Sequence, residues 1–137
     1  MRTNKEFVIR LEDRPGTLGK VCEAIADRGV NILAFQSNPS NGKGLVHVVA
    51  DNPINAKKVL DAERLTYTEK EIAQVELSHQ PGDLARVASR LGDARININY
   101  AYCGVEPGSK APLLIVGVTD ASRALSVLDQ TAAAKGA

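Results

Sequence analysis

The stretch of sequence that decides the fold is RPGTLGKVCEAIADRGVNI, residues Arg14–Ile32, because the chain contains it twice. The second copy begins 66 positions later and reads QPGDLARVASRLGDARINI, residues Gln80–Ile98. When Lys5–Gln36 is aligned with Glu71–Tyr102 without a gap, eight of the 32 pairs are identical. The apolar positions between the identities also keep similar sizes. A repeat of this kind predicts duplication of one supersecondary unit, and hence two similar halves.

The composition is that of a globular protein with a hydrophobic core. Of the 137 residues, 44% are hydrophobic and 24% are charged. The repeat places the two halves at residues 1–70 and 71–137. The net charge of +1 gives no strong field that would attract nucleic acid or an anionic membrane. No apolar run approaches the ~20 residues that a membrane-spanning helix needs. We therefore expect a cytoplasmic protein without nucleic-acid or membrane partners.

Residues with metal-binding or catalytic chemistry are few and scattered. Cys22 and Cys103 occupy non-equivalent positions in the two repeats, and neither belongs to a CxxC pair. His47 lies inside an apolar run with no second ligand-type residue at metal spacing. No Ser-His-Asp order or phosphate-binding glycine loop is present. These observations predict no metal, no cofactor and no enzymatic activity.

In the first half the hydrophobic period changes from that of a strand to that of a helix. Phe7, Ile9 and Leu11 alternate, whereas Leu18, Val21, Cys22 and Ile25 recur at helical spacing. Pro15-Gly16 interrupts the pattern, Thr17 opens the helix and Gly29 can end it in the left-handed conformation. The second strand is predicted to begin at Val30.

The rest of the first half continues with two more strands and a helix. Residues 38–44 are rich in turn-forming types, which predicts a hairpin leading into a strand at Leu45–Ala50. Asn52-Pro53 supplies a cap and an N-terminal proline for a helix, and Leu65–Thr68 is rich in strand-forming residues. The first half therefore has the predicted order βαββαβ.

The second half repeats this order up to its last helix. Its predicted elements are Ala73–Leu77, Leu84–Gly92, Ile96–Cys103, Leu113–Val118 and a helix from about Ala121 to Ala134. Right-handed crossovers place both helices of a half on one face of an antiparallel sheet. The predicted fold class is α+β, with two tandem ferredoxin-like βαββαβ units, of which the second lacks its final strand. Another chain, or the segment Leu65–Leu77, could cover the resulting sheet edge.

The stretch Asp13-Arg14-Pro15-Gly16-Thr17-Leu18, followed by a helix and Val30-Asn31-Ile32, resembles the ACT domain, a small-molecule sensing module. The second half offers His79-Gln80-Pro81-Gly82-Asp83-Leu84, Ile96-Asn97-Ile98 and then Asn99-Tyr100-Ala101-Tyr102, which is similar to the second unit of stand-alone tandem ACT proteins. The resemblance covers Lys5 to Leu128. It implies regulatory binding of a small ligand, usually an amino acid, at an interface between two ACT units that lie side by side.

The residues of the two turns are chemically suited to such a ligand, although each also has a purely structural interpretation. A strand-to-helix turn presents unpaired N–H groups and the positive end of a helix dipole to a carboxylate, but Pro-Gly can equally serve only to make a tight turn. Asn31 and Asn97 could offer an amide donor and acceptor, or could cap their own backbone. Asp13 could meet an ammonium group beside Arg14, or the two could be a solvated surface pair.

Tyr100 and Tyr102 could wall a pocket, or one of them could be part of the core, since alternation places both on the face opposite Asn97 and Asn99. The expected ligand-binding residues are those of the two turns and the two asparagine-bearing strands, with the first site favoured: Asp13, Arg14, Pro15, Gly16, Thr17, Leu18, Asn31, Ile32, Pro81, Gly82, Asp83, Leu84, Asn97, Ile98 and Asn99.

The leading functional hypothesis is a non-catalytic regulatory sensor whose amino-acid ligand biases one assembly, which a separate partner protein then recognises. The alternative is a ligand-free structural or oligomerisation module that binds a partner protein. A small enzyme on this fold is the weakest hypothesis, because the two histidines have no evident partners. A homodimer is expected under either of the first two.

Overall fold

The computed structural model describes the backbone of residues 1–136 and the side chains of residues 1–129, and it contains two compact units. The N-terminal unit is Lys5–Lys70. The C-terminal unit is Glu71–Ala137 together with Met1–Asn4. The predicted α+β class is confirmed, since the described residues form six strands and four helices.

The N-terminal unit has the predicted order βαββαβ. Its elements are β1 (Arg2–Glu12, in this unit from Lys5), α1 (Thr17–Asp27), β2 (Ile32–Ser40), β3 (Lys43–Ala50), α2 (Pro53–Ala62) and the first part of β4 (Thr66–Glu76). Strand β3 pairs antiparallel with both β1 and β2. The helices bury Val21 and Ile25 of α1 and Val59 and Leu60 of α2 against the sheet residues of one hydrophobic core. The 3.6-residue spacing of these apolar side chains explains why both segments are helical.

The C-terminal unit repeats this arrangement. Its elements are the second part of β4, α3 (Asp83–Asp93), β5 (Tyr100–Val105), β6 (Pro112–Gly117) and α4 (Ala121–Gly136). Strand β6 pairs antiparallel with β4 and β5. Within residues 1–136 no strand follows α4, and the unit instead takes in Met1–Asn4, where the Asn4 amide donates to Gln74 Oε1 at 3.0 Å. None of the described helices has the length and apolar character needed to cross a bilayer.

The second strand of each half begins later than predicted. The predicted starts, Val30 and Ile96, each donate their N–H back to a helical carbonyl, Val30 to Ile25 at 3.3 Å and Ile96 to Leu91 at 2.8 Å. These are the 6→1 hydrogen bonds of a Schellman motif. Because its N–H group is used for the helix cap, neither residue can start a strand ladder, and the strands begin at Ile32 and Tyr100.

The hairpin in the N-terminal unit is tighter than predicted. Strand β2 ends at Ser40 and strand β3 begins at Lys43, so only Asn41 and Gly42 lie between them. Both residues have positive φ, 52° and 78°, as a type I′ turn requires. The predicted hairpin is therefore confirmed, and its turn is formed by the Asn-Gly pair alone rather than by all of residues 38–44.

The two predicted strands Leu65–Thr68 and Ala73–Leu77 are one continuous strand, β4, from Thr66 to Glu76. Four residues lie between them, Glu69, Lys70, Glu71 and Ile72, and the three charged ones favoured a break. However, none of them is a glycine, proline, asparagine or aspartate, so no turn chemistry interrupts the extended backbone.

Candidate functional site

The turn between β1 and α1 is a type II turn built on Pro15-Gly16. Gly16 has φ 91° and ψ −15°, and the Thr17 N–H reaches the Arg14 carbonyl at 3.5 Å. The Thr17 hydroxyl lies 2.8 Å from the Glu12 carbonyl oxygen and 3.1 Å from that of Arg14. Helix α1 has no side-chain cap and no acidic residue in its first turn. No carboxylate within the helix itself therefore offsets its N-terminal N–H groups and dipole.

The equivalent turn of the C-terminal unit has the same backbone but different chemistry. Gly82 has φ 87° and ψ −7°, while Asp83 stands where the first turn has Thr17. Asp83 is only 7% exposed, and its carboxylate accepts from the Ser78 N–H at 2.5 Å and from the Arg86 guanidinium at 2.5 and 3.1 Å. The backbone N–H of Ser78, followed by Arg86, lowers the pKa of Asp83 to about 2. The Asp83 carboxylate therefore supplies a negative charge at this turn.

Each unit separates the turn residues from its asparagine-bearing segment. In the N-terminal unit Glu12, at the turn, pairs with Lys43, whereas Ile32 pairs with Ala50 at the other end of β3. Seven residues of strand correspond to about 23 Å. In the C-terminal unit Glu76 pairs with Leu113, whereas the Asn99 N–H donates to the Gly117 carbonyl at 2.9 Å. One unit alone therefore does not bring the two sets together.

The asparagines themselves differ between the units. Asn31 is exposed, and Asp51 fixes the Asn31 backbone. The Asn31 N–H donates to Asp51 Oδ1 at 2.9 Å, and the Asp51 N–H donates to the Asn31 carbonyl at 3.0 Å. Self-capping is therefore not what fixes Asn31. The Asn97 amide instead donates to Asn99 Oδ1 at 2.9 Å, as expected for two residues on one face.

The remaining predicted site residues divide between surface and core. Asp13, Arg14, Pro15, Pro81 and Leu84 are exposed. Leu18 and Ile32 pack against the N-terminal core, and Ile98 packs against the C-terminal core.

The tyrosines of β5 stack on each other, with ring centroids 6.4 Å apart and planes 9° apart. Tyr100 also lies across from Gly117, where a Cβ would fall 2.3 Å from the Tyr100 ring.

His47 is 14% exposed, and its Nδ1 lies 3.3 Å from Oε2 of the buried Glu6. No group of three potential metal ligands occurs among the described residues.

A cavity of about 350 Å³ lies beside the first turn, inside the N-terminal unit. It is lined by the end of β1, the first turns of α1 and the α2–β4 connection: Arg10, Leu11, Glu12, Arg14, Thr17, Lys20, Val21, Lys43, Glu63, Arg64, Leu65 and Thr66. The Arg14 guanidinium, with a smaller contribution from Lys43, lowers the pKa of Glu12. Four of the cationic residues were not predicted from the sequence, because they are far apart in it and belong to no local motif: Arg10, Lys20, Lys43 and Arg64.

The C-terminal unit has a more apolar cavity of about 590 Å³ at its own turn. Leu77, Pro81, Leu84 and Pro112 line it together with His79, Gln80, Asp83 and Cys103. The two cavities therefore adjoin equivalent turns, but the first is rich in cations and the second is mainly hydrophobic.

Comparison with known proteins agrees with the resemblance found in the first repeat. The ACT domain family model matches residues 6–64. No curated protein sequence matches the chain significantly.

Among solved structures, protein BT0572 from Bacteroides thetaiotaomicron superposes with a TM-score of 0.83 at 21% identity, covering 94% of this chain and 88% of that one. The ligand-free regulatory subunit of aspartate kinase from Thermus thermophilus gives 0.64 at 19% identity, covering 95% and 93%. Aspartokinase III from E. coli, solved in complex with lysine and aspartate, gives 0.56 at 12% identity and covers 96% of this chain but 31% of that enzyme. The fold of this chain is thus that of these proteins, and its residues 6–64 match the ACT domain.

Proposed function

We propose that this protein is a non-catalytic regulatory sensor that binds a small ligand, most simply an amino acid, between ACT units. The proposal treats residues 1–70 and 71–137 as two ACT units and expects a homodimer. The observation that carries it is the uncapped N-terminus of α1 behind the left-handed Gly16. This turn can receive a carboxylate on backbone N–H groups that no side chain caps.

The first turn is the better carboxylate site of the two. Asp83 places a carboxylate of its own at the start of α3 and would repel a second one. Thr17 brings no charge to the same place in α1. Asp13, exposed at the same turn, is suited to the ligand's ammonium group.

The second half of the proposed site is the amide of Asn31. Because Asp51 holds the Asn31 backbone, the side-chain amide does not have to cap the strand and can offer a donor and an acceptor to a zwitterion. The separation of about 23 Å within one unit means that a ligand touching both groups must take them from two different units. This requirement supports an interface site, in which binding would favour one arrangement of units over others.

The similar proteins support regulation by amino acids. One is a regulatory subunit of aspartate kinase, and another is an aspartokinase crystallised with lysine and aspartate. By analogy, the ligand-dependent change in this protein would be read by a separate enzyme or another partner protein.

The proposal is tested by calorimetric titration with the free amino acids, comparing the wild type with Asn31→Ala. Loss of a buried ligand hydrogen bond is expected to weaken binding about tenfold. Asn38→Ala removes an exposed asparagine from β2, the strand that follows Asn31, and serves as the matched control, with unchanged affinity. Equal affinity of Asn31→Ala and the wild type would show that the amide is not part of the site.

The alternative is a ligand-free module that docks a partner protein. The hydrophobic cavity of the C-terminal unit favours it, since Leu84 on its rim is 54% exposed. If this alternative holds, Leu84→Ser weakens complex formation with the partner, and no amino acid binds.

A further inference from the structure

A cluster of cationic side chains surrounds the 350 Å³ cavity of the N-terminal unit. Its lining includes five cationic side chains and two acidic ones, a net charge of +3, although the whole chain has a net charge of only +1. The cationic residues are Arg10, Arg14, Lys20, Lys43 and Arg64.

Most of this positive charge is not neutralised by a direct contact. Among the described side chains, Arg14 is the one cation of the five that forms an ion pair, with Glu12 at 2.5 Å. Arg10, Lys20, Lys43 and Arg64 remain, and Glu63 is the other acidic residue in the lining. Four like charges around one concavity repel one another, which costs stability unless an anion joins them.

The position of Arg64 adds an independent observation. Arg64 follows α2 with φ 56°, in the left-handed region where an L-residue is strained by about 1–2 kcal/mol. Its N–H and that of Leu65 make the same Schellman bonds that Gly29 and Val30 make after α1. Glycine would suit this cap better, so arginine has a cost in stability here, as Arg95 has after α3 with φ 61°, and the Arg64 side chain lines the cavity.

The equivalent turn of the C-terminal unit provides an internal contrast. Gln80 replaces Arg14 there, and Arg86, the counterpart of Lys20, is bound to Asp83. Its cavity has no arginine or lysine in its lining. The cation cluster is therefore a property of the N-terminal unit and not of the turn that both units share.

We propose that this cavity is a binding site for a small multivalent anion, either a phosphate monoester or a di- or tricarboxylate. Its volume falls within the range of about 300–1,000 Å³ of small-molecule pockets. The buried side chains of Leu11 and Val21 form an apolar floor for a short carbon skeleton, while the arginines and lysines bind the anionic groups. The site lies within one unit and does not use Asn31, although it shares Arg14 and Thr17 with the first turn of the amino-acid site proposed above.

The test is a titration of the full chain at low ionic strength with inorganic phosphate and, separately, with citrate. Sodium chloride at matched ionic strength is the reference. We expect saturable binding of at least one anion, weakening as salt is added because the charges are solvent-exposed. Tighter phosphate binding assigns the site to phosphate esters, and tighter citrate binding assigns it to polycarboxylates. If the wild type binds neither phosphate nor citrate saturably, the proposal is overturned.

Arg64→Gly is the decisive variant, because glycine suits the left-handed backbone and the fold should tolerate the change. It is expected to weaken anion binding about tenfold, which corresponds to 1.4 kcal/mol. Lys58→Gln removes an exposed cation of α2 that does not line the cavity, and it should leave the affinity unchanged. Unchanged affinity in Arg64→Gly, or equal weakening in both variants, would refute a site in this cavity. Asn31→Ala should bind the anion as the wild type does, so failure of the amino-acid proposal remains distinguishable.

Discussion

Asp83→Asn tests the account of the second turn through its pH dependence. The Asp83 carboxylate is hydrogen-bonded by Ser78 and Arg86, and its pKa falls from 3.8 to about 2 on folding. A group whose pKa is lowered on folding stabilises the protein above its unfolded pKa, and this contribution is lost as the pH falls through the folded pKa. The full shift corresponds to about 2 kcal/mol, and the 37% exposure of the Arg86 side chain places the contribution at about 1–2 kcal/mol.

Urea unfolding of the wild type and Asp83→Asn at pH 7 and pH 2 measures this contribution. At pH 7 the variant should be less stable by about 1–2 kcal/mol, since the amide cannot form the charge-assisted bonds. The difference should shrink progressively below pH 4. The same stability difference at both pH values would mean that the carboxylate charge does not hold the turn, and the reasoning would fail.

Three other substitutions have definite expected outcomes. Gly29→Ala forces an alanine into a backbone with φ 69° and should lower the free energy of unfolding by about 1 kcal/mol. Arg95→Gly relieves a backbone with φ 61° and should raise the free energy of unfolding by about 0.5–1 kcal/mol. Changes of the same sign in urea unfolding would contradict this account of the caps. Gly117→Ala places a Cβ 2.3 Å from the Tyr100 ring and should cost about 1–3 kcal/mol by overpacking. If the clash is the cause, Tyr100→Ala in the same chain should remove most of that cost in a double-mutant cycle.

Much of the architecture follows from local sequence signals. Pro15-Gly16 predicts the turn because proline and glycine suit the two central positions of a type II turn. Asn52-Pro53 predicts the start of α2 because asparagine is a good N-cap, and in the structure Asn52 Oδ1 accepts from the Asn55 N–H at 3.1 Å. Strand starts were less predictable. Hydrophobicity placed them at Val30 and Ile96, but the N–H groups of those residues complete helix caps, which a pattern of residue types does not reveal.

The candidate sites were predictable only in part, for a physical reason. The turn residues belong to one short motif, so the sequence places them together. Arg10, Lys43 and Arg64 line one cavity because the end of β1, the start of β3 and the α2–β4 connection lie on the same side of the N-terminal unit. Arg64 carries no local sequence signal, because its position at the end of α2 is marked only by its backbone conformation, φ 56°.

The measurement that tests the central claim most directly is a thermal-shift screen of the full chain against the free amino acids. A ligand that binds only the folded state, present at ~100 times its dissociation constant, adds about 2.7 kcal/mol to the free energy of unfolding. The account predicts a rise of several degrees in Tm with one chemical class of amino acid. The absence of a rise with every amino acid, in a protein shown to be folded, would contradict the proposed sensor.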